Sequence, residues 1–406
     1  MDPGDGAVEI HGEKKFLWGN MPALDVLNLE HNEGIDYDKD INLLFAASGD
    51  MRNVVKTIIS IPSACTSQSI TAFLNDGEFD VAARNAILLL TALYVQPPTA
   101  AAAAMLHIWY SALIPSSILQ TLQDTVLSLI IDVCTKIAAK PLDRLLAKTF
   151  TRGTCSHRTF YHKDHVWPMM DNADPLSGWE IEDALRSTPL AKNDVYGGLF
   201  FHLRDQFIDF CTKLQMRKTT FVLLFNNAAD LRTTLARDFN LTHSFDRIEI
   251  SNIVDDYYLG LDCLPVFAPL LRPHAVNRHA TLLALFMNAI PEVETHEDTV
   301  TAMSREMRRV AGWLPPGKQE HDAKETARWA AYKLLVDFDE LFARYMERWE
   351  FDSVVADAQL HTKDEHTIVE KWPLRVKEHA TKAEFQRILG GDHCGSERYV
   401  EWQRLP

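Results

Sequence analysis

Six cysteines are spread through 406 residues, at Cys65, Cys134, Cys155, Cys211, Cys263 and Cys394, and no two stand in CxxC spacing. That spread excludes a disulfide-stapled secreted scaffold, so reduced thiols in a cytoplasmic protein are expected. Glycine is scarce, with 17 residues, and no GxGxxG fingerprint, Walker loop, GxSxG elbow, HExxH or kinase signature occurs. The familiar dinucleotide, nucleoside-triphosphate and metalloprotease chemistries therefore have no carrier. The N-terminus, MDPGDGAVEIHGEKK, lacks an apolar core and is not expected to be a secretion signal. There is no excess of positive charge either. The net charge is −15, and the first 80 residues hold 14 Asp and Glu against 5 Lys and Arg. A broad polyanion-binding surface is excluded, and any nucleic-acid contact must come from a local basic patch. Asn85 to Gln123 contains no Asp, Glu, Lys or Arg, yet Pro97, Pro98 and Pro115 cut it into pieces shorter than the ~20 residues of a membrane span. Buried helices, including Thr99 to Ile114, are expected there, and no membrane partner.

What is present is a globular composition, 47% hydrophobic and 24% charged. INLLFAASGD is an apolar run ending at Gly49, which suits a strand buried on both faces and entering a turn. From Met51, the residues Val54, Val55, Ile58 and Ile59 form one stripe, with Arg52 and Lys56 off it, and Pro62 ends the helix. A second strand, SITAFLND, and a helix from Val81 to Tyr94 follow. This alternation predicts an α/β fold with a mostly parallel, Rossmann-like (methyltransferase-like) sheet and additional helical regions. TTFVLLFNN and FDRIEISNI suggest a further strand pair by their β-branched and aromatic content. The expected organisation is a lead-in over 1–40, a Rossmann-like domain over 41–280 with a helical insertion at about 97–150, and a mostly helical region over 281–406.

Chemistry-bearing residues gather at the predicted strand ends. In the turn Ala47 to Arg52, free amides face the carboxyl edge of the sheet, where ligands bind in open α/β sheets. One glycine, Gly49, is too few for a dinucleotide cradle. Asp76 lies 26 residues after Asp50 and ends the second strand beside Asn75. Arg84 and Asn85 interrupt an apolar helix, and a buried arginine calls for a carboxylate partner, with Asp50 or Asp76 the natural choices. Asp255 and Asp256 form the only adjacent Asp pair and would share the same edge. Such a pair either keeps one proton or grips a cation, and guanidinium matches carboxylates well. Asp255 and Asp256 are thus the candidate catalytic residues, and Gly49, Asp50, Arg52, Asn75, Asp76, Arg84 and Asn252 the candidate substrate-binding residues. Ser251, Tyr257 and Tyr258 are possible proton carriers indistinguishable from packing residues. KTFTRGTCSHRTFYHKDH, Lys148 to His165, interleaves basic and aromatic residues and reads either as a tRNA contact or as a solvated loop. Cys155, His157, His162 and His165 within it match no familiar zinc spacing. No metal and no cofactor is expected.

The stretches LFAASGDMRNVVKTI, FLNDGEFDVAARNAILLLTAL, FDRIEISNI and GSERYVEWQR together resemble a fungal domain family. That family is related to the N-terminal, methyltransferase-like domain of dynein axonemal assembly factors. The resemblance covers Phe16 to Leu93, Arg247 to Leu261 and the tail. Its stand-alone members, lacking a MYND zinc finger as this chain does, are similar to arginine-containing cyclodipeptide synthases of fungal secondary metabolism. The resemblance implies an enzyme condensing arginine with a second amino acid, drawn from aminoacyl-tRNAs, into a diketopiperazine. It implies arginyl-tRNA and a second aminoacyl-tRNA as partners and no stable protein partner. It also implies an Asp-Asp-x-x-Glu motif, of which Asp255 and Asp256 match the first two positions while Leu259 occupies the fifth. The competing class is a non-catalytic assembly or scaffold protein. An active methyltransferase is disfavoured by the single-glycine turn.

Overall fold

The computed structural model describes residues 18–63, 65, 68–111, 114–139, 174–187, 194–313, 331–377, 379–391 and 393–406. Seven strands form one mixed sheet in the order β3-β2-β1-β4-β5-β7-β6: β1 (Ile41–Phe45), β2 (Ile70–Asp76), β3 (Thr219–Phe225), β4 (Arg247–Glu249), β5 (Thr281–Phe286), β6 (Leu360–Thr362) and β7 (Arg398–Arg404). The first five are parallel, and β7 runs antiparallel to both β5 and β6. The chain therefore winds from β1 to one edge through β2 and β3, then returns to the other side of β1 with β4. Between β1 and β4 the winding reverses, the position at the strands' carboxyl ends where open α/β sheets bind their ligands.

Side-chain alternation along the strands divides the interior in two. Leu43 and Phe45 face one core and Leu44 the other; Leu283 and Leu285 share the first core, and Leu282, Ala284 and Phe286 the second. The first core is covered by α1 (Arg52–Ser60), α2 (Phe79–Tyr94), α3 (Pro98–Tyr110) and, after α4 (Ser116–Thr121), α5 (Ser128–Ala139) and α6 (Ile181–Arg186), by α7 (Val195–Met216). The stripe read in the sequence is the buried one: Val54, Val55 and Ile58 are each at most 1% exposed. The second core is covered by α8 (Leu231–Phe239), α9 (Cys263–Phe267), α10 (Ala289–Val293), α11 (His296–Trp313), α12 (Asp339–Arg348), α13 (Phe351–Asp357) and α14 (Lys382–Leu389). Phe286 anchors it, with ring centroids 5.3 Å from Phe342 and 5.9 Å from Tyr345. Burying one such ring stabilises the fold by roughly 1.5–3 kcal/mol.

Two expectations change. The region 281–406 is not only helical, since it supplies β5, β6 and β7. TLLALF is fully buried on both faces and so shows no alternation, and a short apolar run of that kind cannot be told from a buried helix by periodicity. TTFVLLF and RIE are both strands but not neighbours, lying on opposite sides of β1. The uncharged stretch is buried over α3, whereas from Ser116 onward it is mostly exposed. The helical run Ser116–Thr135 is apolar and long enough, by length and composition alone, to cross a membrane, and carries Asp124 and Asp132.

The lead-in is fastened along α1 by hydrogen bonds from its amides. Gly19 N donates to Asp50 at 2.7 Å, Leu24 N to Asn53 at 2.9 Å and Val26 N to Thr57 at 3.0 Å. Acceptors three and four residues apart share one face of a helix, so the segment lies along it. At the opposite end of the sheet, Glu33 meets Arg247 of β4 in a buried two-pronged pair, 2.8 and 2.9 Å.

Candidate functional site

The turn from β1 into α1 lies at this reversal of the strand order. Ser48 N bonds Asn75 O at 2.9 Å, and Gly49 turns the chain at φ +55°, a conformation that favours glycine. The two nearby carboxylates then occupy the turn's own amides. Asp76 accepts from Gly49 N at 2.8 Å and Glu78 N at 2.9 Å, while Asp50 accepts from Gly19 N at 2.7 Å, Arg52 N at 3.0 Å and Arg52 Nε at 2.8 Å. A phosphate would need those donors at the start of α1. Asp50 is already seated where the phosphate would be, which gives the absence of a glycine-rich fingerprint a structural counterpart. Burial raises the proton affinity of the Asp76 carboxyl above its ordinary value, against the pull of the two amides.

Arg52 lies flat between two segments. Its guanidinium bonds Asp50 and the carbonyl of Met21, and a Cβ at Gly19 or at Gly178 would collide with it. Ala23 N bonds Gly178 O at 3.0 Å, so these segments join into a roof over the turn. Tyr110 and Trp179 complete it, with Trp179 Nε1 donating to Tyr110 Oη at 2.9 Å and Trp18 beside Tyr110 at 5.6 Å.

Arg84 is fully buried beneath the turn, but it does not form the expected ion pair. Its Nη2 donates to Gly49 O at 3.3 Å and Asn85 Oδ1 at 3.5 Å, and Nε and Nη1 have no partner among the described residues. Asp50 and Asp76 are already taken up by amides and Arg52. They act on Arg84 only at longer range, and burial pulls its pKa down to about 10. Asn75 is likewise structural in its amide, which bonds Ala46 O at 2.9 Å and Asn226 O at 3.0 Å.

Asp255 and Asp256 lie in the loop after β4, at the same carboxyl edge but in a separate group. Asp255 is wholly buried and accepts from Met287 N, Asn288 N, Asn288 Nδ2 and Asn252 Nδ2 at 3.1 to 3.5 Å, so it fastens the exit of β5. Desolvation lifts its pKa to about 6. Asn252 thus serves Asp255 rather than the turn after β1. Asp256 is exposed, as are Tyr257 and Tyr258. The adjacent pair is split by its backbone into one internal and one solvent-facing carboxylate.

Sequence reasoning missed Glu249. It ends β4, opposite Phe45 in register, with only 5% exposure, and among the described residues its carboxylate accepts one hydrogen bond, from Ser251 N at 2.8 Å. Burial raises its pKa to about 7, with Asp50 adding to the rise and Arg52 opposing it. Tyr399 of β7 faces the same group, and its phenol is held above its usual pKa by burial and by Glu249. The available signal was a carboxylate set between Ile248 and Ile250 in a segment read as a strand, an uncommon placement for Glu if the strand is buried. The resulting cluster can hold or move a proton near neutrality at Glu249, beside a fixed Asp50–Arg52 pair. No group of three His, Cys, Asp or Glu among the described residues is placed to hold a metal ion. The basic and aromatic stretch Lys148 to His165, with Cys155, His157, His162 and His165, lies outside the described residues. A cavity of about 370 Å³ lies elsewhere, between α3 and α7, lined by Leu106, His107, Phe200, Arg204 and Ile208 among others.

A family model described as a domain of unknown function (DUF4470) matches residues 17–114. The match takes in the lead-in, β1, α1, β2, α2 and α3, and with them Gly49, Asp50, Arg52, Asn75, Asp76 and Arg84. Glu249, Asp255 and Asp256 fall beyond it. No curated protein and no solved structure matches the chain.

Proposed function

We propose that this chain is an arginine-containing cyclodipeptide synthase on a Rossmann-like, methyltransferase-like sheet, taking its amino acids as aminoacyl esters of tRNA. The strand order supports the fold assignment, because β3-β2-β1-β4-β5 follows the order of Rossmann sheets, which bind their ligands at the reversal. The observation that carries the reaction is Glu249, a carboxyl at that reversal whose proton affinity is tuned close to neutral. Amide formation needs an uncharged α-amine to attack the ester carbonyl. The C–N bond forms, the C–O bond to the tRNA ribose breaks, and the proton lost by nitrogen passes by way of Glu249 to the departing ribose oxygen, which leaves as a hydroxyl. A second attack of the same kind closes the six-membered ring. The exposed Asp256 carboxylate is the group available to a guanidinium arriving from solvent.

The test is expression of the intact chain in a host fed isotopically labelled arginine, followed by mass spectrometry of the extract. A labelled diketopiperazine is expected from wild type and none from Glu249→Gln, with both proteins folded by circular dichroism. A full yield from Glu249→Gln removes that residue from the mechanism. The second reading, a non-catalytic scaffold, is favoured by the closure of the cluster: Asp50, Arg52, Arg84 and Glu249 are all at most 9% exposed. Absence of any labelled product when purified chain is supplied with the full set of aminoacyl-tRNAs decides for the scaffold.

A further inference from the structure

We propose that the outer edge of β3 is a self-pairing surface, on which a second copy of this chain adds its own β3 antiparallel about a two-fold axis at Val222. Among the described residues β3 is the end of the sheet and pairs with β2 alone. Ile70 N bonds Lys218 O, and Ile70 is in register with Thr219. In a parallel ladder both backbone groups of a residue point the same way and successive residues alternate. The even-numbered residues therefore face β2, and the N–H and C=O of Thr219, Phe221, Leu223 and Phe225 point outward. None of those outward groups has a partner among the described residues.

Edges of this kind are ordinarily blunted by charge, proline, a bulge or shortness. β3 has none of these, being seven residues long, and Thr219 to Ala229 contains no Asp, Glu, Lys, Arg or Pro in a chain of net charge −15. Leu223 and Phe225 are 39% and 55% exposed. The apolar rows of both sheet faces thus run to the edge and stop there half-covered, with Phe221 packed on the first core and Val222 and Leu224 on the second.

A second copy of the same edge completes each of these features. With the axis at Val222, Phe221 pairs with Leu223 of the other copy and Thr219 with Phe225, and these are the positions whose backbone groups face outward. Val222 meets its own counterpart on the opposite face, so both apolar rows continue across the junction. Antiparallel pairing also sets the basic end of one strand, Arg217 and Lys218, beside the end of the other that leads to Asp230. The contact is isologous and closes at two copies.

Light scattering on the purified full chain over a dilution series should show a dimer that dissociates at low concentration. Leu223→Pro removes an outward amide that makes no bond within one copy, and proline is tolerated at such an edge position. This variant should be monomeric and should melt at the same midpoint as wild type diluted to the concentration at which wild type is itself monomeric. Val222→Cys should give a covalent dimer on mild oxidation, because the axis brings the two Cβ atoms to ~4.5–5.5 Å; Thr219→Cys should give none. A wild type that stays monomeric at high concentration overturns the proposal. So does a dimer that survives Leu223→Pro, or one in which Val222→Cys fails to cross-link.

Discussion

Glu249→Gln should make the protein more stable, and only on the alkaline side. The side chain is buried at the end of β4 with a single donor among the described residues, Ser251 N, and its pKa rises from 4.5 to about 7. The native state therefore holds this proton over a range in which the unfolded chain has released it. The stabilisation from Glu249 is complete below about pH 4.5 and is lost as the pH rises to about 7. Each pKa unit corresponds to about 1.4 kcal/mol, so the full loss is about 3 kcal/mol, of which about 2.5 kcal/mol falls between pH 5 and pH 8. Glutamine keeps the acceptor for Ser251 N and cannot ionise. Urea unfolding of wild type and variant at both pH values isolates this residue, because Asp76 and Asp255 titrate equally in the two proteins. The variant should gain about 2.5 kcal/mol on wild type from pH 5 to pH 8. A difference that moves by less than about 0.5 kcal/mol would refute a buried, uncharged Glu249.

The split Asp pair makes a second prediction. Asp255→Ala leaves the amides of Met287 and Asn288 without their acceptor and should cost about 2–4 kcal/mol, whereas Asp256→Ala, at the surface, should stay within about 0.5 kcal/mol. Equal losses in chemical denaturation would show that the two carboxylates are not partitioned in this way. Arg84 and Arg247, the two arginines among the largest fully buried side chains, should also differ. Arg247→Met strands Glu33 and should cost about 3–5 kcal/mol, while Arg84→Met breaks no ion pair and should change stability by about 1 kcal/mol or less. A loss at Arg84 as large as that at Arg247 would mean its guanidinium is paired after all.

The β1 to α2 segment was legible because each of its elements carries its own signal. The apolar run of β1, the Val54, Val55 and Ile58 stripe and the Asn75-Asp76 strand end are all local patterns. The grouping of Gly49, Asp50, Arg52, Asp76 and Arg84 about one turn followed, since short parallel crossovers leave little choice of topology. The roof was not legible, because Gly19 and Gly178 are 159 positions apart and the contact that requires both to lack a Cβ is with Arg52. Nor was β5, whose burial on both faces removes the alternation that identifies a strand.

The sequence by itself therefore determined which elements form in the first quarter of the chain and which ionisable residues stand at their ends. Tertiary structure decided what each of those residues does. Asp50 and Asp76 are satisfied by amides, Arg84 has no ion pair among the described residues, Asp255 is turned to fastening β5, and Glu249 becomes the carboxyl with a near-neutral proton. The physical reason is that a carboxylate's charge state depends on the donors and solvent around it. For these residues donors and solvent are set by lead-in, strand and tail segments brought together only when the sheet closes over them.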